Sequence, residues 1–123
     1  MITVFAVLLA LAAPTVRLAI TPWTGSDLQT TSAHAAKYRL EVSGRPNASV
    51  RLQASGVANG WLAAFCTPSF CSPKTLDVHL PASGQAVVQF ELIREAADAP
   101  KASAATISES AGASVHVPEA YRD

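Results

Sequence analysis

Residues 37–43, KYRLEVS, alternate polar and apolar side chains and decide the fold class of this 123-residue chain. Tyr38, Leu40 and Val42 share one face, while the charged residues of the stretch share the other. Because successive side chains of a β-strand point to opposite faces of its sheet, this spacing predicts a half-buried strand. After the turn residues GRPN, the stretch ASVRLQA repeats the alternation with Val50 and Leu52 facing inward.

Further short strands are predicted outward from this pair. WLAAF at 61–65 is apolar on both faces and indicates a strand inside a sheet, whereas KTLDVHL at 74–80 and AVVQFELI at 86–93 alternate. SAATISES and ASVHV can pair as a final hairpin around Ala111 and Gly112. The residues predicted for the core are Tyr38, Leu40, Val50, Leu52, Trp61, Leu76, Val78, Val88, Phe90 and Leu92.

About seven short strands, separated by turn signals every 8 to 12 residues or so, predict an all-β, immunoglobulin-like β-sandwich. The sandwich is predicted over residues 37–118. Residues 13–36 lack a sustained period of 2 or 3.6 and are predicted to be a linker, and residues 119–123 a C-terminal tail.

The N-terminus, MITVFAVLLALAAP, is apolar but too short to cross a hydrocarbon layer of about 30 Å as a regular helix. It predicts a signal peptide over residues 1–12, with Ala10 and Ala12 as the small residues of an A-x-A cleavage site. No Lys or Arg precedes the apolar run, so a short apolar helix retained as an N-terminal anchor is the alternative. Either way, we expect an exported protein, periplasmic or extracellular.

Several motifs resemble those of bacterial extracytoplasmic immunoglobulin-like modules, namely NEW3-type domains of secreted glycosidases and the C-terminal domain of FixG-type oxidoreductases. They are, in order, YRLEVSG, VRLQASG, GWLAAFC, LPASGQAVVQFELI and GASVHV, within residues 37–117. Gly60 and Trp61 open the third strand, and LPASG turns the chain into a long fifth strand. The sequence departs from the pattern at 93–96, where such modules often carry a proline. Because such modules are generally accessory domains, the resemblance implies no catalytic residues.

Cys66 and Cys71 are the only cysteines, and the four residues TPSF separate them. This spacing is neither the C-x-x-C of thiol oxidoreductases nor half of a four-cysteine zinc site. In an oxidising compartment it predicts a local disulfide; a reactive or regulatory pair, and metal ligands or free thiols, are the alternatives. The disulfide would leave an exposed loop as a candidate binding surface, made of Thr67, Pro68, Ser69, Phe70 and Ser72.

Several function classes are disfavoured. Nine basic and nine acidic residues give no net charge, so no basic surface for nucleic acid is expected. We expect no metal site, because His34 falls in the predicted linker while His79 and His116 fall on strands expected in different sheets. G-x-S-x-G, H-E-x-x-H and glycine-rich phosphate loops are absent from the sequence. We therefore predict neither a catalytic site nor a cofactor.

The sequence thus favours an exported, non-catalytic module that binds an envelope or secreted protein and touches the membrane only through an uncleaved N-terminus. One alternative is a periplasmic redox or metal-handling protein that uses Cys66 and Cys71. Another is a carbohydrate-binding accessory module, for which Trp23, Phe70 and Tyr121 are the candidate aromatic contacts.

Overall fold

A computed structural model describes residues 16–24, 29–30 and 35–122. The predicted signal peptide or anchor at 1–12 and His34 lie outside these residues. The strands are β1 Arg17–Pro22, β2 Gln29–Thr30, β3 Ala36–Ser43, β4 Ser49–Ser55, β5 Trp61–Cys66, β6 Cys71–Pro73, β7 Thr75–His79, β8 Gln85–Arg94, β9 Ala102–Glu109 and β10 Ser114–Arg122. Within the described ranges, no helix has the length and apolar character needed to cross a membrane.

The strands form two sheets that make a β-sandwich, as predicted. The first sheet has the order β1-β3-β8-β5-β6, and the second has the order β2-β10-β9-β4-β7. Neighbouring strands are antiparallel, except that the two-residue β2 pairs with β10 in parallel.

The central pairings are those of an immunoglobulin-like sandwich, in which strands B and E pair in one sheet and C and F in the other. Here β4 pairs with β7 and β5 pairs with β8. The flanking strands are exchanged, however. In the usual arrangement the first strand lies beside B and the last strand lies beside F. Here the later strand β9 lies beside β4, and the earlier strand β3 lies beside β8.

An aromatic row crosses the inner face of the first sheet. Tyr38 lies opposite Phe90, which lies opposite Phe65, on three adjacent strands. The ring centroid of Phe90 is 5.9 Å from that of Tyr38 and 5.1 Å from that of Phe65, and all three side chains are fully buried. Of the residues predicted for the core, all are buried except Val78 on β7, which is partly buried and packs against the core.

The linker prediction for 13–36 is wrong at residues 17–22, which form β1. This strand pairs with β3 from Arg17 opposite Ser43 to Pro22 opposite Tyr38. Val16 is buried, and Leu18 and Ile20 pack against the core. These three alternating apolar residues are too few to predict a strand from the sequence, because Thr- and Ala-rich residues follow them. The sandwich therefore starts before residue 37.

The tail prediction for 119–123 is also wrong, because β10 continues to Arg122. The register of β10 against β9 shifts between Val117 and Ala120, as expected for a β-bulge that lets a strand continue past an irregular residue. Pro118 lies in this shift, where its missing N–H breaks no ladder bond. Ala120 beyond it is fully buried. The final hairpin of β9 and β10 is as predicted.

Candidate functional site

The two cysteines lie directly opposite each other on β5 and β6, which form a hairpin at one edge of the first sheet. They form the predicted disulfide, and their Cα atoms are 4.0 Å apart. Opposed residues of an antiparallel pair have their side chains on one face of the sheet, which brings the two sulfurs together. The disulfide closes the hairpin at the point where its strands end.

Residues 67–70, the hairpin tip, are held by a small set of hydrogen bonds. The Thr67 amide donates to the Phe70 carbonyl oxygen at 2.8 Å. The Thr67 hydroxyl oxygen accepts from the amides of Ser69 and Phe70, each at 3.3 Å. Pro68 adds a fixed φ to the same turn. The disulfide and the hydrogen bonds of Thr67 therefore order the tip in the absence of a binding partner.

Phe70 is the exposed side chain that this tip presents. Its relative exposure of 56% is the largest among the exposed large hydrophobic residues in the described part of the chain. Pro68 and Ser69 beside it are exposed as well. Ser72, also predicted for the loop, lies within β6, and its hydroxyl donates to the Thr75 carbonyl oxygen at 2.5 Å. The contact surface is therefore the tip alone.

The edge of the hairpin does not suit pairing with a strand of another protein. β6 has only three residues and ends at Pro73, which has no N–H to offer. Lys74 then turns the chain with a left-handed φ of 67°. Very short edge strands and proline are the devices by which sheets avoid edge-to-edge association. Contacts of this region would consequently be made by side chains at the tip.

A carboxylate lies next to the disulfide on the outer face of the first sheet. One oxygen of Glu91 on β8 lies within 4.8 Å of the sulfurs of Cys66 and Cys71. The Gln89 amide donates to the Glu91 carboxylate at 2.8 Å. The sequence alone does not bring Glu91 near Cys66, because nothing in their spacing indicates that β5 and β8 are neighbours. While the sulfurs are bonded to each other, they are not thiolate ligands.

The histidines do not form a cluster among the described residues. His79 on β7 and His116 on β10 belong to the same sheet, so the prediction that they lie in different sheets is wrong. It assumed the usual flanking strands, whereas here β10 is joined through β9 to β4. Two strands separate the histidines, a span of roughly 14 Å at the usual strand spacing. His116 Nδ1 instead lies 3.2 Å from the Thr106 hydroxyl.

The three aromatic candidates for carbohydrate stacking are also dispersed. Trp23 follows β1 and Phe70 precedes β6, at opposite edges of the first sheet and roughly 19 Å apart at four strand spacings. Tyr121 lies on β10 of the second sheet. Trp61 is buried, and its indole N–H donates to the Pro100 carbonyl oxygen at 2.8 Å. These side chains therefore make no common aromatic platform.

Shifted pKa values are found outside the hairpin, at Tyr38 and in the Arg51–Asp77 pair. Burial, assisted by the charge of Glu119, raises the pKa of the Tyr38 phenol well above its usual range. Its hydroxyl donates to the Pro118 carbonyl oxygen at 2.5 Å. The hydrogen bonds from Arg51 lower the pKa of the Asp77 carboxyl, at distances of 2.8 and 3.2 Å. Both features stabilise the folded protein, and neither lies at the tip.

No model of a known protein family matches this sequence. A search of curated proteins likewise finds no matching relative. The resemblance to NEW3-type and FixG-type modules therefore stays a prediction.

Proposed function

We propose that this chain is an exported, non-catalytic module of the bacterial extracytoplasmic immunoglobulin-like type that binds another envelope or secreted protein through its hairpin tip. The exposed Phe70 on a cross-linked turn is the observation that carries the proposal. Aromatic side chains are enriched at protein–protein interfaces relative to the rest of the surface. A disulfide fits an oxidising compartment, and the apolar N-terminus predicts the route to it.

The energetics favour a small but efficient contact. Full burial of a phenylalanine side chain is worth about 1.5–3 kcal/mol, so covering the exposed part of Phe70 contributes about 1 kcal/mol. Ordering a side chain or loop on binding commonly costs about 0.5–1.5 kcal/mol per side chain. The disulfide and the Thr67 hydrogen bonds have already ordered this backbone. More of the gain from Phe70 is consequently retained as affinity.

Site-specific photo-crosslinking in the cells of origin tests this role. A photoreactive phenylalanine analogue at Phe70 is expected to yield a discrete adduct with one envelope or secreted protein. The matched control places the same analogue at Tyr121, which is 46% exposed on β10 of the second sheet. An absence of adduct at position 70, or the same adducts from both positions, would contradict binding through the tip. Turnover of a sugar or peptide substrate by the purified protein would contradict the non-catalytic assignment.

A further inference from the structure

We propose that reduction of the Cys66–Cys71 disulfide creates a zinc site whose ligands are the two thiolates and the Glu91 carboxylate. The inference goes beyond the proposed binding role and does not depend on it. The three residues come from adjacent strands β6, β5 and β8. Their ligand atoms already lie within 4.8 Å of one another.

The donor set and its geometry suit zinc. Zinc binds thiolate sulfur at about 2.3 Å and carboxylate oxygen at about 2.0–2.2 Å in a tetrahedral arrangement, which sets two bound sulfurs about 3.8 Å apart. Once the bond is opened, the two sulfurs can take up this distance by rotation about their Cα–Cβ bonds, because the Cα atoms are only 4.0 Å apart. Three protein ligands leave the fourth position for water or for a group from another molecule.

Surrounding residues support a bound cation. The Gln89 amide holds the Glu91 carboxylate at 2.8 Å and so orients it, as hydrogen bonds from neighbouring groups do for metal ligands generally. Two thiolates beside a carboxylate repel one another, and a divalent cation relieves that repulsion. Zinc would leave one negative charge on the site, and Lys37 lies directly opposite Glu91 on β3 to balance it.

The chemistry that opens the site is thiol–disulfide exchange with a dithiol reductant. Cys71 is exposed and Cys66 is buried, so a reductant thiolate attacks the Cys71 sulfur and the Cys66 thiolate leaves. The second reductant thiol then attacks the mixed disulfide, releasing Cys71 and forming the reductant's own disulfide. Zinc binding releases the remaining thiol protons. Exchange with an oxidised disulfide reverses this process, re-forming the Cys66–Cys71 bond, yielding two reductant thiolates and releasing the zinc.

Zinc titration of the reduced protein is the test. The chain is reduced with dithiothreitol, freed of reductant without oxygen, and titrated with Zn²⁺ against a chromophoric zinc chelator. We expect one zinc per reduced chain and none in the oxidised chain or in the Cys66→Ala/Cys71→Ala variant. Far-UV circular dichroism of the same samples should show the sandwich intact in each.

A pair of carboxylate variants distinguishes this site from a simple dithiol. Glu91→Gln should weaken zinc binding by about tenfold or more, since it replaces an anionic ligand by a neutral one. Glu41→Gln removes an outward carboxylate of the neighbouring strand β3 and should leave the affinity unchanged. Equal affinity in both variants would overturn the role of Glu91. Zinc binding by the reduced chain no tighter than that of the double alanine variant, or loss of the fold on reduction, would overturn the site as a whole.

Discussion

The substitution Gly60→Ala tests how the connection between β8 and β9, residues 95–101, packs against the sandwich. Gly60 has a left-handed φ of 84°, and a Cβ atom built on it would lie 2.6 Å from the Ala99 Cβ and 3.1 Å from the Ala96 Cβ. The Gly60 carbonyl oxygen accepts hydrogen bonds from the amides of Glu95 and Ala96, at 2.8 and 3.1 Å. The connection after β8 is therefore packed onto the Gly60 backbone.

The expected loss of stability has two parts. A left-handed conformation costs a residue with a side chain about 1 kcal/mol. Inserting a methyl group into a filled site costs a further 1–3 kcal/mol or so. Gly56→Ala is the matched control, because Gly56 has a φ of 73° and nothing within 4 Å of its built Cβ. We expect Gly60→Ala to lower the free energy of unfolding by about 2–4 kcal/mol and Gly56→Ala by about 1 kcal/mol.

Urea unfolding followed by tryptophan fluorescence measures the difference. With an unchanged m-value of about 1.5 kcal/mol/M, Gly60→Ala should lower the midpoint by about 1–2 M more than Gly56→Ala does. Adding Ala99→Gly to Gly60→Ala should recover part of the loss, because it removes the atom in closest contact. Equal midpoints for the two single variants would refute the packing argument and leave only the backbone conformation as the cause.

Three further predictions concern the disulfide and the pKa values of Asp77 and Tyr38. Replacing Cys66 and Cys71 by alanine should lower the free energy of unfolding by about 2 kcal/mol, as expected for closing so short a loop, and reduced wild-type protein should show the same loss in urea. A larger loss would mean that the disulfide also stabilises parts of the sandwich outside the β5–β6 hairpin. The Asp77 carboxyl, followed by NMR, should titrate below its usual range and shift upward in Arg51→Gln, and the stability that this pair adds should be lost as the pH falls below about 4; an unshifted midpoint in the variant would refute the pairing. The Tyr38 phenol should stay protonated in the folded protein above pH 10 or so, with stability falling as the pH rises further, because the unfolded chain releases that proton first; ultraviolet absorbance showing Tyr38 ionised while folded would contradict this.

Alternating residues predicted most of the sandwich because one face of each strand is buried. The pattern in β3 and β4 is uninterrupted over seven or more residues, and in β8 it runs from Val88 to Leu92. A shift by one residue would expose the whole apolar set. In β1 the pattern is only Val16, Leu18 and Ile20, followed by Pro22 and polar residues. So short a run does not distinguish a strand from a linker, and only the pairing with β3 shows that it belongs to the sheet.

The exchanged flanking strands could not be predicted from local patterns. Alternation indicates that β9 and β10 are strands and that they pair with each other, but it does not say which sheet they join. That choice depends on how the chain after Arg94 turns, where the Arg94 guanidinium donates to the carbonyl oxygens of Ala97 and Ala99 and shapes the crossing. The neighbourhood of Glu91 and the cysteines follows from the pairing of β8 with β5, which is likewise a long-range property.

The position of the disulfide ties the two proposals together. Only three residues of β6 pair with β5, so few backbone hydrogen bonds hold β6 beside the tip. The covalent bond supplies the missing constraint, and it does so beside a carboxylate that repels separated thiolates. Opening the bond therefore removes the constraint on Phe70 at the same time as it presents three anionic ligands to a cation. Zinc would restore a cross-link between the same two strands, so binding through the tip should weaken on reduction and recover when zinc is added to the reduced chain.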